Sequence, residues 1–193
     1  MYEYIQGSLI ERNPTYCVVE TGGIGYFIQI TLTTYSQMGT ENPVKLYLHQ
    51  VVREDAHLLY GFHTRREREM FRLLLTVSGI GANIARMMLS SLTSEDVQQA
   101  ILSGNVSLLQ SIKGIGAKTA QRVILDLRDK ITREKVAGEL FPAKDNRLKE
   151  EALSALVILG FNKGEADKVI SKILLAEKSL PLEDLIKKAL KEL

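Results

Sequence analysis

The chain has 193 residues, of which 45% are hydrophobic and 25% are charged, with 25 Lys and Arg against 23 Asp and Glu. This is the composition of an ordinary globular protein, long enough for one large domain or for two to three small ones. No run approaches about eighteen consecutive apolar residues, and the N-terminus lacks a basic start followed by an apolar core, so neither a membrane-spanning helix nor a signal peptide is expected.

The basic residues concentrate in the middle of the chain. Residues 1–62 hold three Lys and Arg against six Asp and Glu, residues 63–132 hold ten against six, and residues 133–193 hold twelve against eleven. The middle segment therefore has a net charge of +4, between flanking segments of −3 and +1. A local basic surface is typical of proteins that bind polyanions.

Residues 1–63 have the patterns of β-strands. TYCVVETGGIGYFIQITL places two β-branched and aromatic runs around Gly22-Gly23, which predicts a hairpin, and YEYIQGSLIER, VKLYLHQVV and AHLLYGF add three more strands. An OB-type barrel is a natural closure for about five strands, although a small open sheet fits nearly as well. Cys17 lies in an apolar run and is interpreted as a buried side chain; a single cysteine also favours a reducing, cytoplasmic setting.

From Thr64 the period becomes helical, and about five short helices are predicted over residues 64–132. Thr64 is expected to cap RREREMFRLLLTV, with Glu67 completing a capping box, and Thr93 or Ser94 to cap EDVQQAIL. The segment 133–146 has no sustained period and is interpreted as a flexible linker. Residues 147–193 then predict three amphipathic helices, so the expected fold class is a multidomain α+β protein.

The middle segment contains the same unusual turn twice. TVSGIGANIARMML begins at residue 76 and QSIKGIGAKTAQRVI at residue 110, and Gly79 and Gly114 are 35 residues apart. These two glycines allow the preceding helix to end in a left-handed turn. Gly81 and Gly116 remove the side chain that would block a phosphate from the free amides of the next helix. The turns are therefore candidate phosphate sites that read no base sequence.

Two other phosphate-binding motifs fail on spacing. A dinucleotide fingerprint requires a third small residue three positions after the second glycine, where this chain has Ile84 and Thr119, and a strand before the first. A nucleotide-triphosphate loop requires Gly-x-x-x-x-Gly-Lys-Ser/Thr, whereas Ala117 precedes Lys118 and Ile112 replaces the first glycine. No ATP hydrolysis and no cofactor are expected.

The two turns match the helix-hairpin-helix DNA-binding motif, and the chain resembles the RuvA family from end to end, with a further match at VVREDAHLLYGF, residues 51–62. The resemblance implies a non-catalytic homotetramer, or an octamer, that holds four-way (Holliday) DNA junctions open in recombination, DNA repair and the SOS response. It also implies a RuvB-type hexameric ATPase as the motor partner, and a RuvC-type resolvase as a further partner. The DNA-binding residues that it implies are Gly79, Gly81, Asn83, Arg86, Gly114, Gly116, Lys118, Thr119 and Arg122.

Two further sites come from the resemblance alone. Glu54 and Asp55 match the family's acidic pin, whose carboxylates repel phosphates and disfavour ordinary duplex. From the residues by themselves they are a solvated turn. The C-terminal domain is expected to dock on the motor, with Leu159, Gly160 and Phe161 as candidate contacts, although core packing is the alternative for the two apolar residues.

One position departs from the family pattern. Many members carry a basic residue after the first Gly-Ile-Gly, where this chain has Asn83. The first hairpin is therefore expected to rely on its amides and on Arg86, and to contribute less than the second.

Two competing functions stay open. A DNA-cleaving enzyme requires clustered metal carboxylates or a nucleophilic Lys. His49, His57 and His63 lack metal-ligand spacing, and Asp126 and Asp129 are expected to form a salt-bridged helix surface with Arg122 and Lys130. A general duplex-binding or single-strand-binding scaffold would instead use barrel aromatics for base stacking. The candidates for that role are Tyr26, Phe27, Tyr35 and Tyr47.

Overall fold

The computed structural model describes residues 2–39, 42–139, 144–177 and 180–193, with the backbone alone at 133–139, 144–147, 150 and 175–176. The chain divides into two compact units, residues 1–134 and residues 135–193. The first unit holds a barrel and a helical segment, and the second holds three helices. No helix in the described ranges is long and apolar enough to cross a membrane.

The first five strands close into a barrel, which settles the choice between barrel and open sheet. The strands are β1 (Tyr4–Asn13), β2 (Tyr16–Thr21), β3 (Ile24–Ile30), β4 (Val44–Val52) and β5 (His57–Phe62). Their order around the barrel is β1-β2-β3-β5-β4, and the parallel pairing of β3 with β5 completes the ring. Gly22 and Gly23, with φ of 59° and 79°, form the predicted hairpin turn between β2 and β3. Cys17 is fully buried, and this burial raises the pKa of its thiol to about 12.

A short helix that the sequence patterns did not predict connects β3 to β4. Helix α1 (Leu32–Gln37) begins after Thr31, whose hydroxyl accepts a hydrogen bond from the Thr34 amide at 2.9 Å. Six residues are too few for an apolar period to be visible in the sequence. The helix is instead held from outside, because the hydroxyls of Thr31 and Thr34 both donate to the buried carboxylate of Glu67.

This contact corrects the capping box expected at Thr64. Helix α2 (Arg65–Leu75) begins after Thr64, whose hydroxyl accepts from the Glu67 amide at 3.1 Å. The Glu67 side chain does not return to the Thr64 amide; only 2% exposed, it binds Thr31 and Thr34. Burial raises the pKa of Glu67 above its ordinary value, and the two hydroxyl donors partly oppose that rise. The carboxylate therefore joins the barrel to the helices.

Four more helices follow in the chain: α3 (Ala82–Ser91), α4 (Ser94–Ser103), α5 (Val106–Gln110) and α6 (Ala117–Glu139). Thr93, rather than Ser94, caps α4, and its capping box with Asp96 is complete. Helix α4 ends at Gly104, which has a φ of 70°.

The last barrel strand packs into the core of the helical segment, while the barrel interior has a core of its own. Phe71 of α2 is fully buried, and its ring lies 5.2 Å from that of Tyr60 and 4.9 Å from that of Phe62, both on β5. Arg68, one turn earlier, donates to the backbone carbonyl of Glu3 at 2.9 Å and to its carboxylate at 2.6 Å. Strand β5 ends at Phe62, and packing across the predicted boundary at residue 63 makes the two segments a single body.

The predicted linker, 133–146, falls on two helices and a part outside the described residues. The backbone of helix α6 continues to Glu139, and helix α7 (Lys144–Ile158) includes residues 144–146. Residues 140–143 are not described. Helices α8 (Lys163–Ala176) and α9 (Leu182–Glu192) complete the predicted three-helix unit. Its small core is formed by Ala152, Leu156, Ala166, Ile170, Ile173, Leu185 and Ala189.

Candidate nucleic-acid interface

The two glycine turns have the same backbone conformation. Gly79 has a φ of 92° and Gly114 a φ of 93°, which places both in the region that side-chain-bearing residues rarely adopt. The amides of Ile80 and Ile115 donate to the carbonyl three residues earlier, at 3.0 and 3.1 Å. Both isoleucines are 5% exposed and lie in the shared helical core. The sequence repeat is therefore a structural repeat, in which a buried isoleucine anchors each turn.

Neither a left-handed backbone nor a steric clash requires glycine at positions 81 and 116. The backbone of Gly81 is extended, with φ of −90° and ψ of 171°, which any residue adopts, and neither Gly81 nor Gly116 has a positive φ. A methyl group built at either position meets no atom within 4 Å. Both glycines are exposed, so the open space beside them faces solvent. This geometry fits a partner that approaches the backbone from outside.

Each of these glycines precedes a helix whose first amides are free. The first helical hydrogen bonds run from the Ala85 amide to Gly81 and from the Ala120 amide to Gly116, both at 2.9 Å. Glycine has no side chain with which to cap the helix, and the amides of residues 82–84 and 117–119 have no acceptor in the described chain. Such amides carry partial positive charge and bind anions. The unit thus presents two matched candidate anion sites.

The second turn is followed by polar and basic side chains on α6. Lys118 is exposed and Thr119 is half-buried, both in the first helical turn. Arg122, one turn later, is exposed, and its Nη1 donates to the carbonyl of Ser78 in the first hairpin at 3.4 Å. The predicted residues Lys118, Thr119 and Arg122 therefore follow the second turn within two helical turns, and Arg122 also contacts the first turn.

The first turn is followed by fewer polar groups. Asn83 is exposed, as its predicted position requires. Arg86 is half-buried, and its Nη1 donates to the Thr15 carbonyl in the β1–β2 turn of the barrel at 3.2 Å. The arginine on which the first hairpin was expected to rely is therefore bonded to the barrel.

The acidic pair lies at the tip of a hairpin. Glu54 and Asp55 occupy the turn between β4 and β5, which is closed by a 2.8 Å hydrogen bond from the Arg53 amide to the Ala56 carbonyl. Both acidic residues are exposed. Neither carboxylate has an ion-pair or hydrogen-bond partner in the ranges that the structure covers, so Arg53 does not neutralise them. Two uncompensated negative charges project from the barrel.

The candidate motor contacts lie in the second unit, after α7. Gly160 ends this helix with a φ of 98°, and Leu159 is 60% exposed. Phe161 is half-buried against the three-helix core. Ile158, the residue before Leu159, is 82% exposed. The exposed apolar patch therefore includes Ile158 of α7, which was not among the candidate residues.

The histidines do not form a metal site. No group of three or more His, Cys, Asp or Glu side chains in the described ranges is placed to hold a metal ion. His49 packs its ring edge-on to Phe71 at 5.5 Å, and burial, with Arg72 and Arg68 nearby, lowers its pKa. These contacts make His49 part of the seam between β4 and α2.

The salt bridges expected on α6 do not form among the described side chains. Lys130 instead makes a contact that the sequence did not predict. Asp126 and Asp129 form no ion pair with Arg122 or Lys130 among the side chains described. Lys130 instead donates from Nζ to the Thr76 hydroxyl at 3.1 Å, across 54 residues of sequence. Helical spacing predicts neighbours on one helix and carries no signal for such a distant contact.

Comparison with known proteins places these features in a family. The chain matches "RuvA N terminal domain" at residues 1–61, "SAM-like Helix-hairpin-helix tandem" at residues 71–129 and "RuvA, C-terminal domain" at residues 148–193. It is 53% identical over 193 residues to the Holliday junction branch migration complex subunit RuvA of Christiangramia forsetii and 47% identical over 193 residues to that of Flavobacterium psychrophilum. Identity to the Bacteroides fragilis protein of the same name is 44% over 201 residues, and all three matches span 100% of both chains.

Proposed function

The chain belongs to the RuvA family, and on that premise we propose that it binds four-way (Holliday) DNA junctions as the DNA-binding subunit of a branch migration complex. The observation that carries the proposal is the matched pair of glycine turns. Each combines free helix amides with open space beside an exposed glycine, in the segment with a net charge of +4. Phosphates bound there read the DNA backbone and no base sequence.

The residues at the turns have separate roles in this proposal. Gly81 and Gly116 admit the phosphate to the amides, and Gly79 and Gly114 give the chain its left-handed turn. An anion at a helix N-terminus is stabilised by about 0.3–1 kcal/mol, and more where it is partly buried. Lys118, Thr119, Arg122 and Asn83 surround the phosphates with charge and hydrogen-bond donors, whereas Arg86 orients the first hairpin through its bond to the barrel.

The acidic pair supplies selectivity against plain duplex. Glu54 and Asp55 are exposed and unpaired in the described chain, so phosphates close to them are repelled. A continuous duplex cannot move its phosphates away from these carboxylates, so the repulsion weakens its binding. A junction can place its strand crossover, where the strands separate, over the acidic pair. The resemblance to the RuvA family implies several chains around one junction, and we therefore include a homotetramer, or an octamer, in the proposal.

The second unit is proposed to dock on a RuvB-type hexameric ATPase. Its support is the apolar patch at Ile158 and Leu159, which are 82% and 60% exposed. Gly160 turns the chain and Phe161 anchors the loop in the core, so their part in docking is to present Leu159. The chain itself is a non-catalytic subunit; a RuvC-type resolvase as a further partner and a cytoplasmic location complete the proposal.

A single-strand-binding scaffold is a second candidate, because one of the four candidate aromatics is placed for stacking. Phe27 is 57% exposed and its ring stacks on Tyr16 at 4.7 Å, whereas Tyr26 and Tyr35 pack against the barrel core. Tyr47 is half-buried and lies 5.4 Å from the guanidinium of Arg65. The barrel segment, however, has a net charge of −3, which opposes the binding of a nucleic-acid backbone.

A competition titration tests the proposal. A labelled synthetic four-way junction, a linear duplex of equal length and a single strand are titrated with the full chain in magnesium, at several salt concentrations. Junction affinity should exceed duplex affinity, and its logarithm should fall with log salt by about 0.9 per phosphate neutralised. Equal affinities for junction and duplex would refute the structure-selective function, and a preference for the single strand would favour the barrel face.

A further inference from the structure

The two hairpin turns differ in their own charge. Equivalent positions in the two turns are 35 residues apart. Ser78 of the first turn corresponds to Lys113 of the second, and Asn83 corresponds to Lys118. All four are exposed. The second turn therefore carries two lysines where the first carries two neutral residues. Matched backbones with unmatched charge raise the question of what neutralises a phosphate at the first turn.

The first hairpin's own arginine is directed to the barrel rather than to the first turn. Arg86 lies on α3 after the first turn, but its Nη1 is engaged with the Thr15 carbonyl of the barrel at 3.2 Å, and its side chain is half-buried. The residue equivalent to Arg122 in the first hairpin is Met87, which has no charge. The contact that the structure records for the one cation of α3 is therefore with the barrel and not with the first turn.

Two cations reach the first turn from α6. Arg122 Nη1 donates to the Ser78 carbonyl, directly before Gly79, at 3.4 Å, and Lys130 Nζ donates to the Thr76 hydroxyl at 3.1 Å. Both side chains are exposed, and each uses one donor in these contacts, while Arg has five donors and Lys three. They lie on the same helix two turns apart, so one rigid element carries both.

The charge of these two side chains is available to a ligand. Asp126 lies one turn from each of them on α6, and Asp129 lies beside Lys130 in sequence, yet neither forms an ion pair with them in the described part of the chain. The carbonyl and hydroxyl that hold Arg122 and Lys130 are neutral acceptors. The two cations are therefore tethered at the first turn without being neutralised.

Resting on the proposed junction binding, we infer that Arg122 and Lys130, although they follow the second turn in the chain, bind the DNA phosphate held by the first turn. Helix α6 then serves both hairpins: its N-terminal amides and Lys118 act at the second, and its later side chains replace the charge that Ser78 and Asn83 lack. The first hairpin is expected to contribute on a par with the second, contrary to what Asn83 alone suggests.

A double-mutant cycle tests which turn Arg122 serves. Arg122→Gln is combined separately with Gly81→Ala, which obstructs the first turn, and with the matched Gly116→Ala, which obstructs the second. Groups that act on one phosphate lose binding non-additively, whereas independent groups lose it additively. For Arg122→Gln with Gly81→Ala, the fold-increase in junction Kd of the double variant should be at least about twofold smaller than the product of the two single fold-increases. For Arg122→Gln with Gly116→Ala, it should equal that product. The reverse pattern would overturn the inference.

Salt dependence and rescue separate phosphate binding from a structural role. Arg122→Gln should lower the slope of log Kd against log salt by about 0.9 for each bound chain, and Arg122→Lys should preserve it. Asn83→Lys in the Arg122→Gln background should restore both slope and affinity, whereas Gln121→Lys, an exposed addition on α6, should restore neither. An unchanged slope in Arg122→Gln, or equal rescue by both lysines, would overturn the inference. Lys130→Gln is tested in the same cycle.

The proposed function and the inference fail in different ways. The wild-type preference for junction over duplex is measured first, and the cycle is then run on both DNAs. If the wild type shows no preference for the junction, the proposed function is refuted, and the cycle measured on duplex still assigns Arg122 to one turn. A retained preference with coupling to Gly116 refutes the inference alone. Thermal melting of every variant at one chain concentration identifies any variant that binds poorly because it is unfolded.

Discussion

Alanine substitution of the four turn glycines should separate a backbone role from a contact role. Gly79 and Gly114 have φ near 90°, and a methyl group there meets no atom within 4 Å. The cost of Gly79→Ala or Gly114→Ala is therefore that of the left-handed backbone alone, about 1–2 kcal/mol of the free energy of unfolding. Because no clash adds to this cost, the two variants should lose similar amounts.

Gly81→Ala and Gly116→Ala should leave that free energy within about 0.5 kcal/mol of wild type. The Gly81 backbone is extended, and alanine is a somewhat poorer N-cap than glycine. The smaller conformational freedom of alanine in the unfolded chain offsets this loss by about 0.4–1 kcal/mol. The same methyl groups lie where a phosphate would approach the helix amides. Junction affinity should fall by about two- to fivefold per obstructed turn, which corresponds to the 0.3–1 kcal/mol of anion stabilisation.

Two measurements on the same four variants check this separation. Urea unfolding followed by tyrosine fluorescence reports on the first unit, because all seven tyrosines lie in residues 1–62. Anisotropy of a labelled four-way junction, titrated with each variant, gives Kd. The reasoning is refuted if Gly81→Ala is as destabilising as Gly79→Ala, since an internal constraint would then explain the glycine. Wild-type junction affinity in both Gly81→Ala and Gly116→Ala would equally refute it.

Three further outcomes are expected. Burial raises the pKa of Glu67, so the free energy of unfolding of the wild type, relative to that of Glu67→Gln, should decrease as the pH rises from about 4.5 through the raised pKa. The decrease should be about 1.4 kcal/mol for each unit by which the pKa is raised. Urea melts of both proteins over a series of pH values check this, and a difference that does not change with pH would contradict it. The double variant Glu54→Gln/Asp55→Asn should bind linear duplex at least about fivefold more tightly, because like charges about 4 Å apart in water cost about 1 kcal/mol; an unchanged junction-to-duplex ratio in the titration would count against the pin. Leu159→Asp should weaken binding to a RuvB-type ATPase about tenfold in calorimetry while junction affinity stays unchanged, and Ile158→Asp should behave alike if the patch is continuous.

The sequence determined the features that depend on neighbours along the chain. Alternation predicted the five strands, Gly22-Gly23 predicted the hairpin between β2 and β3, and the pair Thr93-Ser94 predicted the start of α4, which Thr93 caps. The repeat at Gly79 and Gly114 predicted two identical turns, because a left-handed residue after a helix is a local requirement of the backbone. These features are recoverable because their energetic causes lie within a few residues.

Only the tertiary structure decided how these elements meet. Helix α1 was not predicted, because the Glu67 carboxylate that holds its threonines comes from 33 and 36 residues further along the chain. The Arg122 and Lys130 side chains were expected to pair with acidic residues on their own helix, yet they reach the first hairpin across 44 and 54 residues. A helix face specifies its own periodicity, but the groups opposite that face depend on packing between elements distant in sequence. The charge at each turn therefore follows from how the two hairpins pack together.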